Sequence, residues 1–61
     1  MNMIMSVEKI KRDIQERIDA NYSCSFNFYH GYICALYSAN IIKMRKEYEE
    51  LKDWIESLDL N

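Results

Sequence analysis

His30 and Cys34 stand four residues apart in the run Phe28-Tyr29-His30-Gly31-Tyr32-Ile33-Cys34-Ala35-Leu36. On a helix that spacing puts an imidazole and a thiol on one face, where they can share a metal ion. Two ligands do not make a site, and the chain holds a single histidine, so no metal and no other cofactor is expected. The same pair has the residue types of a nucleophile and its base. Nucleophilic catalysis also wants a third group, usually a carboxylate, to orient the imidazole, and residues 21–42 contain no Asp, Glu, Lys or Arg. Glu49 and Asp53 pair two carboxylates on a charged helical face, where such groups serve solubility. The chain is therefore expected not to be an enzyme.

Around His30 lies a concentration of rings: Tyr22, Phe26, Phe28, Tyr29, Tyr32 and Tyr37. A core built only for packing favours Leu and Ile, whereas tyrosine combines rigid area with a hydroxyl and is enriched at binding surfaces. Rings stack flat ligands, and the helix start expected near Ser25 suits anionic groups. Lys43 and Arg45 follow this zone and can reach phosphates presented by a neighbouring subunit. The expected ligand or partner surface therefore comprises Tyr29, His30, Tyr37, Asn40, Lys43 and Arg45, for a nucleotide-type small molecule or a host protein. The competing reading is that Phe26, Phe28 and Tyr32 close a helical hairpin over Ile14 and Ile18 while the tyrosines line a subunit seam.

The elements that position these residues follow from length and pattern. Sixty-one residues make a single domain, 1–61, whose own core is small, because a chain of about 60 residues buries only about 60% of its unfolded surface. A composition 49% hydrophobic and 30% charged is that of a folded protein, and one Gly with no Pro excludes sandwiches, barrels and βαβ units. A net charge of −2 supplies no field for nucleic acid, and the basic cluster Lys43, Arg45, Lys46 is offset at once by Glu47, Glu49 and Glu50; no DNA partner is expected. Two cysteines are no disulfide scaffold, and Met1 to Met5 is too short for a signal segment, so the expected location is cytoplasmic. The uncharged zone is long enough to span a bilayer, but Asn21, Ser23, Ser25, Asn27, His30, Ser38 and Asn40 would each need a partner there, so no membrane role is expected.

Val7, Ile10, Ile14 and Ile18 recur at helical steps, with Ser6 as N-cap and a Met5–Ile10 staple, which predicts a helix over about 6–20. Glu8–Arg12 and Asp13–Arg17 have the spacing of i,i+4 ion pairs. Asn21 and Ser23 compete with helical backbone bonds, so residues 21–25 read as a loop. A second helix starts at Ser25, stapled by Cys24 and Tyr29, and runs over about 26–58, because no Gly or Pro interrupts it. Its long apolar stripe includes Tyr29, Ile33, Tyr37, Asn40, Met44, Tyr48, Leu51 and Ile55, while Gly31, Ala35, Ser38, Ala39 and Ile42 lie opposite, as a shallow groove for the first helix. The stripe is too large to stay exposed on a monomer. The expected fold is therefore all-α: a helical hairpin with a short first and a long second helix, assembling as a homo-oligomeric bundle, dimer or higher. Its seam is Ile33, Met44, Tyr48, Leu51 and Ile55, with Asn40 either setting register or standing solvated at the rim. The alternative is a break near Ser38-Ala39-Asn40 that folds the chain into a three-helix monomer.

The block of residues 28–36 resembles a segment of short phage and prophage helical-hairpin proteins, with an aromatic pair, a Gly-aromatic-Ile step and an Ala-Leu opening a long helix. It departs from that pattern at His30, where a basic residue is expected, and at Cys34, where an acidic one is. The resemblance implies a small non-enzymatic accessory protein of anti-defence type, which inhibits or sequesters a host-defence protein or nucleotide signal. The other functional reading is a purely structural oligomerisation or adaptor module.

Overall fold

A computed structural model describes residues 5–21 and 25–60. Three helices of thirteen residues each follow one another: α1 (Val7–Asp19), α2 (Phe26–Ser38) and α3 (Arg45–Ser57). The protein is all-helical, with no strand among the described residues.

Both expected serine caps are in place. Ser6 accepts the Lys9 N–H at 3.1 Å and Ser25 the Phe28 N–H at 3.4 Å, each satisfying one amide that the first helical turn leaves without a partner. Met5 packs on the core that contains Ile10, as the staple requires; the Cys24 end of the second staple, and Tyr22, lie outside the described residues. Asp13 takes Lys9 at 2.9 Å, and the Arg17 guanidinium lies 5.8 Å from the Tyr32 ring centre.

The long second helix does not exist. Its 26–58 span is two helices, α2 and α3, and the break falls at Ser38-Ala39-Asn40, as in the three-helix alternative. Asn40 takes a left-handed conformation with φ 61°, its N–H donates to Tyr37 O at 3.1 Å, and the Ile41 N–H donates to Leu36 O at 2.9 Å. This is the Schellman pattern, with Asn in the position usually held by Gly. Asn is the side chain that tolerates left-handed backbone best after Gly, so neither Gly nor Pro is needed. Asn21 (φ 58°) and Asp59 (φ 57°) end α1 and α3 in the same conformation.

The turn brings α3 back along α2. His30, Cys34 and Tyr37 all reach Tyr48 near the start of α3. Alongside α3 runs α1, where Lys11 meets Glu50 at 3.5 Å and stands 5.7 Å from the Trp54 ring centre. The Met5 N–H donates to Ile41 O at 3.3 Å, tying the start of α1 to the turn between α2 and α3.

The core comprises Val7, Ile10 and Ile14 of α1, Tyr29 and Ile33 of α2, Ile42 of the turn, and Leu51 and Ile55 of α3. Each such side chain contributes on the order of 1.5–3 kcal/mol by leaving water. This corrects the expected seam, since Ile33, Leu51 and Ile55 are fully buried within one chain, while Met44 is 57% exposed. The stripe finds its partner by folding on itself. The accessible surface, 4375 Å², is close to the roughly 4,200 Å² of a compact monomer of this mass. Gly31, Ala35, Ser38 and Ala39 are exposed, and a Cβ built on Gly31 meets nothing within 4 Å, so the small-residue groove does not receive α1. No described helix is long and apolar enough to cross a membrane.

Candidate functional site

Phe26, His30 and Cys34 recur at steps of four on α2, which sets them in a row along one face, and Tyr37 extends the row by one more turn. That row looks across to Tyr48 on α3. His30 Nε2 lies 3.0 Å from the Tyr48 hydroxyl, Cys34 Sγ lies 3.3 Å from the same hydroxyl, and Sγ to Nε2 is 3.7 Å. Three different heteroatoms thus lie within 3.7 Å of one another, half-buried between α2 and α3.

The rings around this point hold one another. Phe26 stacks on His30, 5.4 Å between centres and 12° between planes, and Tyr37 stacks on Tyr48 at 5.2 Å and 21°. Offset stacking of this kind contributes on the order of 0.5–1.5 kcal/mol beyond the area buried. The Tyr48 phenol is held above its ordinary range, first by the hydrogen bond with Cys34 and then by desolvation, so it stays a neutral hydroxyl that can donate and accept. Cys34 is a free thiol. The His30 ring contacts Phe26, Cys34 and Tyr48, none of them a carboxylate.

The expected surface residues divide sharply. His30 and Tyr37 come together around Tyr48, and Arg45, at the first position of α3, adds its charge beside that phenol. Arg45 pairs with Glu49 at 3.0 Å, an i,i+4 contact, which raises the guanidinium pKa further. Tyr29 is fully buried and cannot line a surface site. Asn40 and Lys43 are exposed at the α2–α3 turn; Asn40 serves there as a helix stop, not as a register group in a seam. Tyr48 is the member of the cluster that spacing alone missed. It lies 14 residues from Cys34 and 18 from His30, and the Asn40 stop is the signal that would have brought it near.

A second feature lies on another face of α2. Asn27, Phe28, Gly31, Ala35, Ser38 and Ala39 are all exposed, and Phe28 keeps 44% of its surface in solvent. Charged side chains stand on the solvent faces of α1 and α3, whereas this face has none. No protein-family model, curated protein or solved structure matches the chain.

Proposed function

We propose that the chain is a small non-enzymatic binding protein whose working surface is the outer face of α2, and that this face pairs two copies of the chain. The observation that carries the reading is the charge-free surface of α2 in a protein 30% of whose residues are charged. Solvent faces of small domains ordinarily carry Lys, Arg, Glu and Asp. Gly31 and Ala35, four apart, leave room for another helix to approach closely, and Phe28 supplies an aromatic anchor. A two-fold pairing sets a patch against itself, so any charge on it would meet its own sign unless offset; a face without charge incurs no such cost. The homo-oligomer thus rests here on the exposed face, not on the apolar stripe.

The target class is what the resemblance of residues 28–36 implies. In this reading the protein is a cytoplasmic, phage-type factor that inhibits a host-defence protein by covering part of its surface. A protein target is preferred to a nucleotide signal because Tyr29 is buried and Tyr37 stacks on Tyr48, which leaves the expected ligand rings engaged within the chain.

Amide chemical shifts followed over a dilution series test the surface. Concentration-dependent changes are expected at Asn27, Phe28, Gly31, Ala35 and Ser38. Changes centred on Lys9, Glu16 or Asp53, or none at millimolar concentration, would contradict the reading.

A further inference from the structure

The outer face of α2 has two unlike ends, and these set how a second copy can lie on it. We infer that the two α2 helices of a pair lie antiparallel, with Phe28 of each chain seated on the partner's Ala39 and Asn27 on the partner's Ser38. This rests on the reading that the face pairs two copies, and it fixes their orientation and register.

The order of residues along the face carries the inference. At about 100° per residue, Phe28, Ala35 and Ala39 stand on one side of its midline, and Asn27, Gly31 and Ser38 on the other. All six are exposed. The two-fold axis of an antiparallel pair keeps each side against itself and reverses its order. Centred near residue 33, that axis sets Phe28 on Ala39, Asn27 on Ser38 and Gly31 against Ala35. The three pairs match in one register. A ring with 44% of its surface in solvent meets a methyl group, and an amide meets a hydroxyl with which it can hydrogen-bond. Gly31 and Ala35 stand where the helices cross. A Cβ built on Gly31 meets nothing within 4 Å, and small side chains at such a crossing allow an interaxial distance of about 8 Å, the short end of the usual range.

A parallel pair fails on the same residues. Its axis runs along the helices and sets each side against the other, so Phe28 falls beside the partner's Asn27. Both rings then crowd one end, and the Ala39 end is left unfilled. The helix ends favour the same orientation. α1 carries Glu8 in its first turn and Arg17 in its last, whereas α2 has no acidic residue in its first turn and no basic one in its last. The partial charges at the ends of α2 therefore lack their usual complement within the helix. An antiparallel partner lays an end of opposite sign beside each, and a parallel partner lays like ends together.

The test mixes isotope-labelled and unlabelled chains at a concentration where sedimentation gives the dimer, and reads nuclear Overhauser effects that cross between copies. Contacts from the Phe28 ring to the partner's Ala39 methyl are expected. Contacts to the partner's Asn27 or Phe28 instead would overturn the antiparallel arrangement while leaving the pairing intact. Ala39→Phe should weaken association about tenfold, because two rings then compete for the space of one. Adding Phe28→Ala to the same chain conserves volume and should restore association to within about threefold of the parent. Both positions are exposed, so neither change enters the core, and circular dichroism of the variants checks the helices. A double variant that associates no better than Ala39→Phe alone would also overturn the arrangement. Cross-copy contacts from α1 or α3 alone, or a parent chain that stays monomeric at millimolar concentration, would remove the pairing itself and this inference with it.

Discussion

Replacing Asn40 by Ala and by Gly separates the three-helix fold from a continuous second helix by the sign of the effect. Asn40 sits at φ 61° with its N–H on Tyr37 O and the next N–H on Leu36 O. In that conformation Ala places a Cβ against the carbonyl at a cost of about 1–2 kcal/mol, and Gly incurs none. Asn40→Ala should therefore be less stable than Asn40→Gly by about 1–2 kcal/mol. Were residue 40 inside a helix, Ala would instead be the better residue by about 1 kcal/mol. For a domain of about 60 residues each kcal/mol moves the midpoint by roughly 4–8 °C. The assay is a pair of thermal melts followed by far-ultraviolet circular dichroism. A higher midpoint for the Ala variant than for the Gly variant would refute the turn, and with it the juxtaposition of His30, Cys34 and Tyr48.

Other expectations follow from burial and from the cluster. Leu51→Asp should unfold the chain instead of merely separating copies, because Leu51 is fully buried and an unpaired carboxylate there costs several kcal/mol; a folded monomeric variant by circular dichroism would contradict this. The raised Tyr48 phenol contributes stability that is complete below the unfolded phenol's ordinary value of 10.0 and is lost as pH rises from there through the folded value. Melts of the parent chain should accordingly fall more steeply above pH ~10 than those of Tyr48→Phe; parallel curves would show that the phenol is not held by Cys34.

Much of α1 was legible because its signals agree. Ser6, the Val7-Ile10-Ile14 face and the Asn21 stop all point to one helix, and each appears in the structure. The stop at Asn40 is the same chemistry as that at Asn21, yet it is hidden by phase. Tyr37, Asn40, Met44 and Tyr48 keep a helical step across the turn, so the stripe reads as continuous although the backbone reverses. That misreading also moved Ile33, Leu51 and Ile55 from a core to a seam, and it assigned Gly31 and Ala35 to α1 when they face solvent. The candidate cluster was half legible. The His30–Cys34 spacing is local and survives any error in tertiary arrangement, whereas Tyr48 joins them only through the turn.

The claim that the outer face of α2 pairs two chains is tested most directly by mass in solution. Sedimentation equilibrium of the parent chain should give a mass that climbs from 7.4 kDa toward twice that value as concentration rises into the high micromolar range. Ala35→Arg, which places a charge on the exposed face without entering the core, should hold the mass at 7.4 kDa. A parent chain that stays at 7.4 kDa throughout, or an Ala35→Arg variant that associates as strongly as the parent, would contradict it.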